Sequence, residues 1–147
     1  MRAFAAGSCL AFCAAIASLA AGAQSAKSFN EPAERKKLEA RMDKMDFWAY
    51  CGELGRMLRK PDISPRGELW EKVMVSRAAG ISSADFGYIR DRRLRVGMDQ
   101  CSVAAILGKP SEINRTNHAG GFSDQWAYWG RGVYVYLDNG VVRAWQE

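Results

Sequence analysis

Asp138-Asn139-Gly140, set between "GVYVYL" and "VVRAWQ", restricts the fold more than any other stretch of this 147-residue chain. Asn-Gly supplies the two left-handed conformations of a type I′ turn, and that turn joins antiparallel strands whose twist it matches. With Asn139 and Gly140 as the loop, Asp138 faces Val141, Leu137 faces Val142, Tyr136 faces Arg143, Val135 faces Ala144 and Tyr134 faces Trp145. Side chains alternate between the two sides of a strand. One face then carries Val133, Val135, Leu137, Val142 and Ala144. The other carries Tyr134, Tyr136, Arg143 and Trp145.

"GFSDQWAYWGRG" extends this hairpin. If Gly130-Arg131 makes a tight turn, Tyr128 lies beside Val133 and Trp126 beside Val135. Phe122, Trp126 and Tyr128 then join the aliphatic face, and Ser123, Gln125 and Ala127 the other. A slip of one residue would invert the assignment. "SEINRT" at 111–116 is the candidate for a fourth, edge strand.

The segment before these strands has helical periodicity. Asn30 can cap a helix whose first turn holds Glu31 and Pro32. Leu38, Met42, Met45, Trp48, Cys51, Leu54 or Gly55, and Leu58 then recur every three or four residues. Pro61 stops the run after Lys60, and either Gly52 or the Asp46-Phe47 region divides it. A second helix starts at Ser64 and Pro65, carries Leu69 or Trp70, Val73 and Val75 to Ala78 on its apolar side, and closes at Gly80. "SSADFGYIRDRRLR" predicts a short third helix, capped by Ser82 or Ser83, with Phe86 and Ile89 turned inward. After a turn at Gly97, Asp99 caps a fourth, with Val103, Ile106 and Leu107, that Gly108 and Pro110 end. The expected fold is α+β. A helical region over 30–95 forms one compact domain with a short helix and a three- or four-stranded antiparallel sheet over 96–147.

Residues 1–23 read as a secretory signal peptide: a basic start at Arg2, an apolar run from Ala3 to Ala21, and the A-x-A site Ala21-Gly22-Ala23 before Gln24. Neither Cys9 nor Cys13 lies in a lipidation context, because Phe12 is too bulky and Cys9 is too early. Cleavage leaves Cys51 and Cys101 in an oxidising compartment, where two cysteines most simply pair. The expected location is periplasmic or secreted, with no stable membrane span after cleavage.

The composition excludes several functions. The formal charge is +5 and falls to +4 without Arg2; it is spread over "ERKK", "RMLRK" and "RDRRLR" with no nucleic-acid-binding motif. No nucleic-acid partner is therefore expected. Two distant cysteines and one His do not make a metal site, and no cofactor is expected. There is no nucleophile elbow, zinc-protease motif or phosphate loop. His118, in the turn-like "TNHAGG", has no evident catalytic companions, so no catalytic residue and no enzyme are expected. A site of scattered carboxylates, as in a small cell-wall-directed hydrolase, would leave no motif.

Two readings of Tyr134, Tyr136, Arg143 and Trp145 stay open. The N-terminal helices cover them, or they form an exposed docking face of the composition found in binding hot spots.

"VGMDQCSVAAILGKPSEI" followed by "QWAYWGRGVYVYLDNGVV" resembles the SmpA/OmlA-type (BamE-like) small lipoproteins of outer-membrane assembly. The matching features are Gly97-Met98, Val103, Leu107-Gly108-Lys109-Pro110, Trp126 to Tyr128, and Val133 to Gly140. The same helix-hairpin unit is similar to that of secreted beta-lactamase inhibitor proteins. The resemblance covers about a third of the chain and implies a periplasmic α+β module whose sheet and loops contact another protein. That partner would be a periplasmic or outer-membrane protein, and the role an envelope-assembly accessory or an inhibitor of an exported enzyme. The contact residues expected are Tyr134, Tyr136, Arg143 and Trp145, with Asn117 and His118 at the adjacent hairpin tip. A structural component of the envelope or of a phage, associating through its edge strand, is a further reading.

Overall fold

Each helix starts at a short polar side chain that accepts a hydrogen bond from a backbone N–H of the first turn, where the helix has no carbonyl to offer. Asn30 caps α1 (Glu31–Met42), Asp46 caps α2 (Phe47–Arg59), Ser64 caps α3 (Pro65–Ser76), Ser82 caps α4 (Ser83–Asp91) and Asp99 caps α5 (Gln100–Leu107). These positions come from a computed structural model that describes residues 29–78 and 81–147. The signal peptide expected at 1–23 and the helix stop expected at Gly80 lie outside the described residues. Of the two candidate breaks in the first helical run, Asp46-Phe47 divides it, and Gly52 sits within α2.

Four strands follow: β1 (Glu112–His118), β2 (Gly121–Tyr128), β3 (Val133–Asp138) and β4 (Val141–Gln146). They form one antiparallel sheet in the order β1-β2-β3-β4. The architecture is α+β, with the helices first. Asn139 and Gly140 both have positive φ, 49° and 80°, as the type I′ loop requires. Tyr128 pairs with Val133 and Trp126 with Val135, although the loop between them is a short 3-10 turn at Trp129–Arg131 followed by Gly132 rather than a two-residue turn.

α5 joins the helices to the sheet. Its residues Cys101 to Ile106 are all buried, which is why its apolar residues follow no single stripe. On one side Cys101 is bonded to Cys51 of α2 across 50 residues. Closing a loop of that length is worth about 4 kcal/mol in the chain-entropy picture. Also on this side, Gly55 faces the backbone of Ala105 with no room for a Cβ, and the Arg59 guanidinium donates to the Ala105 carbonyl at 2.8 Å. On the other side the core continues into Trp126, Val135, Leu137 and Val142 of the sheet. Trp48 of α2 meets Trp126 with ring centroids 5.2 Å apart. The segment before α5 pairs with the edge of β4: Val142 donates to the Met98 carbonyl, and the Gly97 N–H donates to the Val142 carbonyl, each at 2.8 Å.

The strict alternation expected for β4 fails at Arg143. Leu137 pairs with Val142, but Tyr136 pairs with Ala144, Val135 with Trp145 and Tyr134 with Gln146. Arg143 is the extra residue of a β-bulge, and beyond it every side chain changes sides. Trp145 therefore lies on the inner face, half-buried against the core, whereas Ala144 is exposed on the outer face. The expected order was the reverse. The physical reason is size: the inner face gains far more from a Trp than from an Ala.

Two glycines of α2 give opposite expectations. A Cβ at Gly52 meets nothing, whereas one at Gly55 meets the Ala105 backbone. Gly52→Ala should raise stability by about 0.5–1 kcal/mol through helix propensity. Gly55→Ala should lower it by about 1–3 kcal/mol by forcing α2 from α5. Urea unfolding of the two variants checks this, and two changes of the same sign would contradict the packing described.

Candidate functional site: the outer face of the sheet

One side of the sheet has no helix against it among the described residues. Glu112, Asn114, Thr116, Tyr134, Val141, Ala144 and Gln146 on that side are all exposed. The hydrogen bonds its side chains make stay within the sheet and its hairpin turns. The face forms a shallow groove of about 570 Å3. Its floor is a row of side chains crossing all four strands. Asn114 donates to Gln125 Oε1 at 3.3 Å, Gln125 Nε2 donates to the Tyr136 hydroxyl at 3.2 Å, and that hydroxyl donates to Gln146 Oε1 at 3.0 Å. Cross-strand neighbours on one face lie close enough for this chain of contacts. The row fixes Tyr136 in place and leaves its ring half-exposed, with Tyr134 beside it 36% exposed.

A second row converges at the hairpin tips. The Gly120 N–H donates to His118 Nδ1 at 3.2 Å, so the ring proton sits on Nε2 and points to Ser123 Oγ, 3.3 Å away. Ser123 in turn donates to Asp138 Oδ1 at 2.8 Å. Arg143, released outward by the bulge, donates to Asp138 Oδ2 at 3.0 Å. The Ser123 hydrogen bond, then Arg143, hold the Asp138 carboxyl below the ordinary carboxylate range. His118 and Ser123 thus come together, although the sequence gives no sign of it. Their roles differ from those in nucleophile activation, where the imidazole accepts the hydroxyl proton. Here the imidazole donates and the carboxylate accepts.

No family model, curated protein or solved structure matches the chain. Tyr134, Tyr136 and Arg143 share the outer face, and His118 joins them at its rim. Trp145 lies on the opposite side, so it cannot belong to the same contact surface. Asn117 is exposed but pairs with Phe122, which places it on the inner side of β1. Ser123 and Gln125 were expected on this face but not as members of its contact rows, and Gln146 and Asp138 were not assigned to it. Their signal was available only through the register, which sets Ser123 opposite Asp138 and Gln125 opposite Tyr136.

The inner face at the same end of the sheet has a different solution. Asp124 is buried, and Arg115 of β1 grips it through two contacts of 2.7 Å each. The Arg115 guanidinium also lies over the Phe122 ring, 4.1 Å from its centroid. Arg115 thereby roofs the corner of the inner face, and Phe122 is half-buried beneath it. The hydrogen bonds from Arg115 hold the Asp124 carboxyl below its ordinary 3.8, with Trp126 assisting. A group with a depressed folded-state value stabilises the protein above its unfolded value and loses that contribution as pH falls. Arg115→Ala should therefore lower the urea midpoint at pH 7, because it strands a buried carboxylate. The gap from wild type should narrow as the pH falls through 3.8. A gap that stays constant down to pH 3 would show that the pair contributes no charge-dependent stability.

Among the described residues no cluster of three or more His, Cys, Asp or Glu is placed to hold a metal ion. None of the described helices is long and apolar enough to cross a membrane. The Cys51–Cys101 disulfide is compatible with an oxidising, exported location.

Proposed function

We propose that this protein is an exported, non-enzymatic protein–protein interaction module, acting in the periplasm or outside the cell, and that the outer face of its sheet is the docking surface. One observation carries the reading. The sheet is packed on one side only, and the open side presents two fixed tyrosine rings beside an arginine.

Tyrosine and arginine are the residue types enriched where binding energy concentrates. The ring of Tyr136 is held by hydrogen bonds at its hydroxyl, so little side-chain freedom is lost when a partner covers it. Arg143 extends from the bulge with 76% of its side chain accessible and supplies a cation at the rim. The row from His118 through Ser123 to Asp138 holds that rim in a single arrangement. A periplasmic or outer-membrane protein is the partner we favour, with a role in envelope assembly or in inhibiting an exported enzyme. The likeness of Gly97 to Gly140 to the SmpA/OmlA-type lipoproteins and to the beta-lactamase inhibitor proteins supports this choice.

The test is a pull-down from periplasmic extract with wild-type protein, Tyr136→Ala, Arg143→Ala and, as a control on α3, Lys72→Ala. Wild type and Lys72→Ala should recover the same specific protein. Tyr136→Ala and Arg143→Ala should each lose at least nine-tenths of it, as expected for a hot-spot truncation of about 1.4 kcal/mol or more. Equal recovery by all four would remove the outer face from consideration.

A further inference from the structure

A recess of about 290 Å3 lies where α1, α2 and α3 meet, away from the sheet. Its floor is apolar, made by Leu38, Met57 and Trp70, all buried. Its wall carries four cations, Arg41, Arg56, Lys60 and Arg66, against two carboxylates, Glu53 and Asp62. Both carboxylates are already engaged. Arg56 holds Glu53 through two contacts of 2.7 and 2.8 Å, and the Trp70 indole N–H donates to it at 2.9 Å. These partners, Arg56 first, bring the Glu53 carboxyl down to about 2. Asp62 accepts the Ser64 backbone N–H at 3.0 Å.

Arg56 and Glu53 therefore neutralise each other, and three cations keep spare capacity. Arg41 is stacked on Trp70 at 5.0 Å and reaches Glu53 only at 3.9 Å. Arg66 makes one contact, 3.3 Å to Glu34 at the mouth, where Lys37 competes for the same carboxylate. Lys60 has no ion pair among the described residues. Like charges gathered on one wall repel, and an anion placed among them relieves that repulsion.

We propose that this recess binds a phosphate group, held by Arg41, Lys60 and Arg66. With Glu34 and its partner Lys37 at the mouth included, five cations face three carboxylates and leave two positive charges uncompensated, which matches a phosphate at neutral pH, about −1.5 to −2. Guanidinium forks also fit phosphate oxygens in pairs, and a lysine adds a point charge. A carboxylate carries one charge and two oxygens, too few for the three cations that line the recess. The apolar floor at Trp70 and Met57 leaves room for a small organic group on the phosphate, so the ligand is free phosphate or a phosphate monoester.

The Trp70 indole N–H, hydrogen-bonded to Glu53 at the edge of the recess, is the reporter. In nitrogen–proton NMR, inorganic phosphate and glycerol 3-phosphate are titrated at constant ionic strength, with acetate as the comparison anion. A saturable shift of the Trp70 indole signal is expected with phosphate. Arg41→Gln and Lys60→Gln should each weaken it by tenfold or more while the remaining indole signals keep their folded positions. Tighter binding of glycerol 3-phosphate than of phosphate assigns the ligand as a monoester, and equal binding assigns it as the free ion. A linear shift identical to that with acetate, or undiminished binding in both variants, would overturn the proposal.

Discussion

A sheet covered on one side only gains most by sending its largest apolar side chains to that side. In this protein the constraint is strong enough to break a strand. β4 cannot place both Val142 and Trp145 inward with regular alternation, since they lie three positions apart, an odd number. One extra residue, Arg143, corrects the parity, so Val142 and Trp145 both reach the core. The same bulge turns Arg143 outward to Asp138 and leaves only Ala144 behind Tyr136. The open surface is thus a by-product of filling the closed one. A small residue beside Tyr136 keeps the groove shallow, and the displaced arginine supplies its charge.

The other side of the sheet depends on α5. Its small residues let α2 come close enough for Gly55 to face Ala105, and the Cys51–Cys101 bond holds that approach. The Asp99 side chain caps α5 while the backbone beside it pairs with β4. One short segment therefore fixes the helices, the core and the protected edge of the sheet together. Where the helices end, Arg115 roofs Phe122 and neutralises Asp124. Over β2 to β4 the inner face and its edge are closed by three different means: helix packing, a pairing segment and a single guanidinium.

Much of this was legible in the residues. Helix starts rest on local chemistry: Asn30, Ser64 and Ser82 are polar caps followed by an acidic residue or proline, and Asp99 is a cap set directly after the turn at Gly97. The Asn-Gly hairpin and the pairing of Trp126 with Val135 are equally local. The disulfide partners followed from the expected export, since cleavage of a signal peptide would leave only Cys51 and Cys101 of the four cysteines. The bulge was not legible, because "VVRAWQ" satisfies a period of two as written. Its only trace is the awkward placement of Trp145 on the outside and Ala144 on the inside, a conflict of size that invites an extra residue. The meeting of His118, Ser123 and Asp138 was not legible either. It depends on a register spanning three strands, and a one-residue shift in any of them would separate the side chains.

The composition of the open face rests on that bulge, and cross-strand proton contacts between β3 and β4 measured by nuclear Overhauser effects test it most directly. Contacts of Tyr136 with Ala144 and of Val135 with Trp145 are expected. Contacts of Tyr136 with Arg143 and of Val135 with Ala144 instead would mean that the strand runs without interruption, that Trp145 faces outward, and that the surface described here is not the one the protein presents.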